Sequence, residues 1–226
     1  MPGSDDARDR PDEALDEARE RAAVTQSQRG DRAAFNLLVT YYQSAAYGLA
    51  LRMLGDADAA ADVTQDAFFA AFRNIRAFRG VSFRAWLLRI VSNGCYDYWR
   101  AQRRRPAESL DALMEGSDDA PGAGASEPEL ARALADDAWN PEGAALRAEM
   151  IAAIERALLR LAPEQRLVII LSDIQGLSYE EIARIADIPL GTVKSRIARA
   201  RARLRETLSG QPELFPRAER QDVRGE

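Results

Sequence analysis

The chain has 226 residues, 46% of them hydrophobic and 30% charged, with a formal net charge of −5, no histidine and a single cysteine. That length has room for one large or two small soluble domains. Without histidine, and with Cys95 alone, an internal disulfide, most metal sites and histidine-based nucleophilic catalysis are excluded, so neither a metal nor a cofactor is expected.

Residues 1–29 are charged, proline-containing and poor in aliphatic side chains, and are expected to be a disordered lead-in. From Asp31 to Arg105 the pattern is helical throughout, which predicts a first all-helical domain over residues 30–105. Phe35, Leu38, Val39, Tyr42, Leu49 and Met53 recur at helical spacing until Gly55-Asp56 breaks the run. Asp58 to Phe72 resumes it with Val63, Phe68, Phe69 and Phe72 as the apolar stripe. A loop around Gly80 spans Phe78 to Ser82, and one long helix follows from Phe83 to Gln102. On that helix Phe83, Leu87, Ile90, Gly94 and Tyr98 are expected inward. Asn93, Asp97, Arg100 and Arg104 form an outward stripe flanked by Arg89, Ser92, Tyr96 and Arg103. Aromatic rings among arginines suit unstacked bases on a charged backbone, with Tyr96 and Trp99 as the stacking candidates. The competing reading is that both rings are ordinary core or rim aromatics. Cys95, set among apolar residues, reads as a buried inert thiol.

Residues 106–144 read as an acidic linker around Pro121-Gly122-Ala123-Gly124, with a short helix over Leu130–Trp139 left open. From Pro106 to Ala145 there are ten acidic residues against the single Arg132, so the net charge conceals basic patches elsewhere. If this stretch shields those patches, deleting residues 112–138 should strengthen DNA binding by the free protein. No apolar run approaches the ~18 residues of a membrane span and no signal peptide is evident, so a cytoplasmic protein with no membrane insertion is expected.

A second helical domain is predicted over residues 145–209, ahead of a loose tail at 210–226. Met150, Ile151, Ile154, Leu158 and Leu161 make one stripe, and Pro163 restarts the chain. Leu167, Val168, Ile170, Leu171 and Ile174 make the next, ended by Gln175-Gly176. Then Ser178 with Glu181 forms a capping box that starts a helix at Tyr179, and Pro189 and Gly191 punctuate it before a new helix near Thr192. This is a helix-turn-helix pattern. At ~100° per residue Val193, Ile197, Ala200 and Leu204 share an inward face, while Lys194, Ser195, Ala198, Arg199, Ala202 and Arg205 face out. Small alanines permit close approach to a major groove, and the long basic side chains reach base edges and phosphates. A merely solvated face would mix charge signs, whereas Lys194, Arg196, Arg199, Arg201, Arg203 and Arg205 run without an acidic residue until Glu206.

Taken together, Asp62-Val-Thr-Gln-Asp-Ala-Phe-Phe69, Phe83-Arg-Ala-Trp-Leu-Leu-Arg-Ile90 with Asn93, Asp97 and Arg100, Leu161-Ala-Pro-Glu-Gln-Arg166 and Gly191-Thr-Val-Lys-Ser-Arg196 resemble the extracytoplasmic-function sigma factors. These are the group 4 members of the sigma-70 family of RNA polymerase subunits. The resemblance implies an all-α fold of two small domains, a region 2-like bundle and a region 4-like helix-turn-helix, joined by the flexible acidic linker. It implies a non-enzymatic transcription initiation factor that binds core RNA polymerase and directs it to promoters. Asp62, Gln65, Asp66, Phe69 and Arg73 are implied to dock on the β′ clamp helices, with the second domain on the β flap. The loop Phe78, Arg79, Gly80 and Ser82, with Asn93, Tyr96, Trp99, Arg100, Arg103 and Arg104, is implied to capture the melted −10 strand; flipping a base costs a few kcal/mol, which pocket contacts must offset. Thr192, Lys194, Ser195, Arg196, Arg199 and Arg203 are implied to read the −35 duplex, and an anti-sigma partner is a further implication. Two departures stand out: Ala198 replaces an aromatic that is frequent in the family, and the linker is long.

Two other classes compete. A dimeric helix-turn-helix regulator fits Ile182–Ile188 and Thr192–Lys194 almost as well, but the α/β receiver domain of response regulators is not signalled in residues 30–105. A metal-dependent DNA-processing enzyme would need a tight carboxylate constellation, and none is evident; Asp56, Asp58 and Asp62 lack the glycine and terminal glutamate of a calcium loop.

Overall fold

The computed structural model describes residues 17–80, 82–104, 141–210 and 214. Among these the fold is all-α, in two helical units. The first contains α1 (Glu17–Gln28), α2 (Arg32–Leu54), α3 (Ala57–Asn74), a short 3-10 turn at Ile75–Ala77, and α4 (Phe83–Arg104). In the second are α5 (Pro141–Leu159), α6 (Pro163–Ile169) with a π-helical extension over Ile170–Ile174, α7 (Tyr179–Ala186) and α8 (Leu190–Ser209).

The breaks follow local chemistry. Asp31 caps α2 by accepting hydrogen bonds from the backbone N–H groups of Ala33 and Ala34. Gly55 ends the same helix in the left-handed region at φ 74° and sends its N–H back to the Leu51 carbonyl, after which Asp56 caps α3. The first core is built from Phe35, Leu38, Leu49 and Met53 of α2 against Phe83, Leu87, Leu88 and Val91 of α4. The wall from α3 is made of small side chains, Ala59, Ala60, Val63, Ala67 and Ala71.

Three expectations change here. Of the α3 stripe Val63 is buried, Phe68 half-buried, and Phe69 and Phe72 exposed, because the side of α3 packed on α2 and α4 is filled largely by alanines. A Cβ on Gly94 would lie 2.9 Å from Val63 Cγ1, which measures how near the two helices run. Ser92, expected on the outward flank of α4, is buried and donates its hydroxyl to the Leu88 carbonyl. The inward face therefore turns toward Leu88, Val91 and Cys95, leaving Ile90 and Tyr98 only half-buried.

Nor is the lead-in without order. Residues 17–28, inside the stretch expected to be disordered, form α1, whose Ala23, Val24 and Ser27 are buried. Glu20 fastens it, accepting from the Tyr42 hydroxyl and, at 2.8 Å, from the Phe83 N–H. Gln28 adds two bonds, donating to the carbonyls of Ile75 and Phe78. Polar side chains bonding to distant elements do the work that aliphatics were expected to do. The linker, the open helix over residues 130–139 and most of the tail lie outside the described residues.

In the second unit five consecutive residues, Leu167 to Leu171, are buried. One helix face cannot hold five in a row. They are covered on one side by α8 and on the other by α2, and the turn widens where Gln175 donates its N–H to the Ile170 carbonyl, five residues back. Ile174, expected inward, is exposed past this widening.

The two units pack on one another, α7 on α4 and α5 and α6 on α2, and share one continuous buried core. A Cβ on Gly55 would lie 2.8 Å from Leu159 Cδ1, so the α2 terminus, held at φ 74°, and the end of α5 meet closely at a position that suits glycine.

Candidate nucleic-acid interface

The helix-turn-helix forms as its pattern predicts. Ser178 accepts from the Glu181 N–H while the Glu181 carboxylate accepts from the Ser178 N–H, a complete capping box. Burial alone would raise the Glu181 carboxyl, but the bonds from Ser178 outweigh it and hold that carboxyl low. Asp187 closes α7 in the left-handed region at φ 54°, and Ile188-Pro189 leads into α8 at Leu190.

Val193, Ile197 and Ala200 of α8 are buried, with Leu204 half-buried, so the opposite face is displayed to solvent. Lys194, Ser195, Ala198, Arg199, Ala202, Arg203 and Arg205 are exposed, Thr192 and Arg196 half-buried. The first turns carry an ordered polar relay. The Ser195 hydroxyl donates to the Thr192 carbonyl at 3.0 Å, and Arg199 donates to the Ser195 carbonyl and hydroxyl, both at 3.2 Å. Arg199 is therefore held along the helix with its guanidinium beside Ser195.

The basic run is not wholly unpaired. Arg201 makes a two-pronged ion pair with Asp173 on the π-helical segment, at 2.7 and 3.0 Å. Hydrogen bonding from Arg201 holds the Asp173 carboxyl below the usual carboxylate range and pushes Arg201 upward. Spacing within one helix cannot reveal this partner, which comes from another element.

On the first unit, Asp62, Gln65, Asp66, Phe69 and Arg73 are all exposed and lie along one face of α3 at i, i+3, i+4, i+7 and i+11. Phe72 and, on α2, Leu37 are also exposed apolar side chains.

The loop before α4 is shaped by Phe78, which is buried against Phe83 and Trp86 at ring separations of 6.1 and 4.9 Å. Its ring is an anchor for the loop and not a displayed contact, since it is spent on the core. Gly80 lies over that ring: a Cβ there would come 2.6 Å from Phe78 Cε2. Arg79 folds back on the Arg76 and Phe78 carbonyls, and Ser82 caps α4 by accepting from the Ala85 N–H.

Along α4, Asn93, Arg100, Arg103 and Arg104 are exposed, and Arg100 pairs with Asp97 at 2.7 Å. Tyr96 and Trp99 are only half-buried, their rings edge to face at 5.6 Å. With Arg100 and Arg103 they line one wall of a groove of about 230 Å³, whose other wall is Pro163 and Glu164 of the second unit. Desolvation, with Glu164 adding to it, pushes the Tyr96 phenol up to about 12. Cys95 beside it is buried, its thiol pushed up to about 12 by desolvation, as an inert cysteine should be.

The residues not foreseen as important join the two units. Arg166, in Leu161-Ala-Pro-Glu-Gln-Arg166, is buried and donates to the carbonyls of Leu158, Leu159 and Leu161 and across to Met53 on α2. Its guanidinium carbon sits 5.6 Å from the Trp99 ring centroid, and burial lowers its pKa. Arg84 on α4 donates to Gln175 twice, at 2.7 Å to the carbonyl and 2.9 Å to the side-chain oxygen. The Gln175 amide donates in turn to the Ala45 carbonyl at 3.1 Å.

Comparison with known proteins matches residues 38–105 to the family model for sigma-70 region 2 and residues 151–204 to that for sigma-70 region 4. The RNA polymerase sigma-H factor of Pseudomonas aeruginosa is 38% identical over 195 residues, covering 86% of this chain and 96% of the relative. The ECF RNA polymerase sigma-E factor of Escherichia coli K12 is 41% identical over 180 residues, covering 79% and 88%. Among solved structures, the sigma factor RpoE in complex with the anti-sigma factor NepR, from Bartonella quintana, superposes with a TM-score of 0.57 at 28% identity, covering 78% of this chain and 98% of that one. CnrH in complex with the cytosolic domain of CnrY gives 0.56 at 28% identity, covering 85% and 99%.

Proposed function

The chain belongs to the extracytoplasmic-function group of the sigma-70 family, and from that premise we propose how its residues divide the work of promoter recognition. As a sigma subunit it binds core RNA polymerase and directs it to specific promoters through their −10 and −35 elements. In this reading the second domain, residues 145–209, docks α8 in the major groove of the −35 duplex. Arg199, held beside Ser195, reads a base edge together with Lys194 and Ser195, while Thr192, Arg196 and Arg203 hold phosphates. Ala198 lets the helix approach closely.

The first domain, residues 30–105, attaches to the clamp helices of core polymerase through Asp62, Gln65, Asp66, Phe69 and Arg73, two acidic groups, an amide, an aromatic ring and a guanidinium in one exposed row. It captures the melted −10 strand on Tyr96 and Trp99, with Asn93, Arg100, Arg103 and Arg104 on the strand's polar edges and backbone, and with Arg79, Gly80 and Ser82 at the loop that Phe78 anchors. Engaging both elements at once lets two modest affinities combine. The chain performs no chemistry of its own; its work is positioning. Among the described residues no helix is long and apolar enough to cross a membrane, and a cytoplasmic location alongside polymerase follows from the role. The relative solved with an anti-sigma factor supports a partner of that kind here.

The observation that carries this reading is the completed helix-turn-helix whose exposed face holds Lys194, Ser195 and Arg199 over buried Val193, Ile197 and Ala200. Run-off transcription with purified core polymerase and fragmented genomic DNA from the source organism tests it. Discrete new start sites preceded by a shared pair of elements are expected only when the chain is added. No stimulation, with no core binding, would return the dimeric-regulator reading.

A further inference from the structure

Helix α1 lies ahead of residues 38–105, the part matched to region 2, and its buried apolar side chains are small, Ala23 and Val24. Two of its polar side chains, both half-buried, reach the loop before α4, one at each end. At the beginning of the loop the Gln28 amide donates to the carbonyls of Ile75 at 3.2 Å and Phe78 at 2.9 Å. At the far end one Glu20 carboxylate oxygen accepts from the Phe83 N–H at 2.8 Å, and the other accepts from the Tyr42 hydroxyl. Burial, with Glu20 beside it, pushes the Tyr42 phenol upward, so it stays a donor, and its ring lies 5.6 Å from that of Phe83.

We propose that α1 is a brace for the −10 loop, with Gln28 and Glu20 as positioning residues that hold its two ends in the shape that discriminates bases. The inference rests on the −10 reading of Arg79, Gly80 and Ser82. Both amide protons of Gln28 are spent on carbonyls three residues apart, which fixes how the 3-10 turn hands the chain to Phe78. The Phe83 N–H is one of the donors left open at the start of a helix, and Glu20 fills it. Between the two side chains about 12 Å of helix acts as a strut, so the loop ends cannot drift independently. The Phe78 ring packs on Phe83 and Trp86, but a packed ring still lets the backbone beside it turn, and a bonded carbonyl does not. Capturing a flipped base already costs unstacking, and a loop that must order itself on contact adds a second cost to every base alike. A braced loop, by contrast, cannot reshape itself around the wrong base. A helix serving stability alone would be held by an aliphatic face; α1 spends its polar side chains on the loop ends instead.

The full chain, assembled with core polymerase on templates randomised in the downstream element, tests the brace. Gln28→Met keeps the side-chain length and removes both donors. Glu20→Ala removes the acceptor for Phe83, and Glu20→Gln restores one. Gln28→Met and Glu20→Ala should each reduce the preference for the best downstream base roughly fivefold, with upstream selection unchanged and Glu20→Gln close to the parent. Asp31→Ala removes two capping bonds in the same unit, away from the loop, and should select as the parent does. If Asp31→Ala matches the losses, α1 contributes plain stability and the brace is overturned. Arg79→Ala alters the loop itself and separates two failures. Should it shift downstream selection while Gln28→Met and Glu20→Ala do not, the brace is wrong and the −10 reading stands. Should none of the three shift it, the −10 reading falls and the brace with it. The hold on the loop also has a readout without DNA: amide exchange at Phe83 in the free chain should quicken roughly tenfold in Glu20→Ala and not in Glu20→Gln. An unchanged rate in Glu20→Ala overturns the brace.

Discussion

Helix α8 and the aromatic-basic face of α4 use related chemistry, arginines interleaved with small or aromatic side chains, but they stand at different distances from readiness. The α8 surface is exposed and internally ordered, with the Thr192–Ser195–Arg199 relay made within the helix and the apolar side buried beneath it. The α4 surface has its key rings half-covered by another domain. A duplex offers its groove edges without being opened, so a rigid preformed helix suits it. A melted strand needs ring faces for its bases, and on α4 those rings lie at the junction with the second unit. The same residue types are thus presented differently according to what packs over them.

The largest perturbation of that contrast is Arg166→Ala. It removes the shared side-chain donor to carbonyls in both units at once, those of Leu159, Leu161 and Met53, and of Leu158, which keeps the Leu161 N–H. Loss of ~3 kcal/mol is expected in chemical denaturation, since each unpaired buried acceptor costs ~1–3 kcal/mol. If the two units are coupled as described, helical signal should be lost at a lower midpoint in one shared transition; a split transition with an unshifted first unit would break the coupling.

Next in size is Arg199→Ala. A bidentate base contact is worth ~1–3 kcal/mol of discrimination, so binding to a −35 duplex should weaken by that amount and sequence preference should relax at one position. Equal losses on every sequence would mean that Arg199 holds phosphate. Ser178→Ala removes the cap of α7 and should lower stability by ~1 kcal/mol in thermal melts, with base preference unchanged.

The smallest effect is at Asp173. Its folded carboxyl is held below its unfolded value, so the Arg201 pair stabilises above the ordinary aspartate range and is lost as pH falls through the depressed folded value. The pair is half-exposed, and its loss should cost under ~1 kcal/mol. Asp173→Asn should reproduce that loss at neutral pH and remove the acid titration step, while freeing Arg201 to steepen the salt dependence of DNA binding by roughly one phosphate contact.

Where structure follows from neighbours in the chain, it was readable in advance. The Ser178–Glu181 box, the break at Gly55-Asp56 and the buried face Val193–Ile197–Ala200 each depend on residues within a few positions. What escaped depends on distant partners. Helix α1 is tied by Glu20 to Tyr42 and Phe83, residues 22 and 63 positions away, and carries little apolar periodicity of its own. The outward turn of Phe72 on α3 also escapes spacing within the helix, because small side chains such as Ala67 and Ala71, with Val63 against Gly94, fill the packed side. Arg166 closes Leu161-Ala-Pro-Glu-Gln-Arg166, yet nothing local distinguishes a buried carbonyl-binding arginine from a solvated one. The one available hint was the unbroken apolar run that follows it, which leaves little exposed helix face nearby.

In the proposed division of labour two surfaces read two promoter elements, and selection from promoter libraries tests that directly. Core polymerase with the unsubstituted chain, Arg199→Ala or Trp99→Ala would transcribe templates randomised at either the upstream or the downstream element, and the transcripts would be sequenced. Arg199→Ala should relax selection only upstream, and Trp99→Ala should weaken selection and melting only downstream. If both substitutions change the same element, or neither changes any, the division of labour between α8 and α4 is wrong.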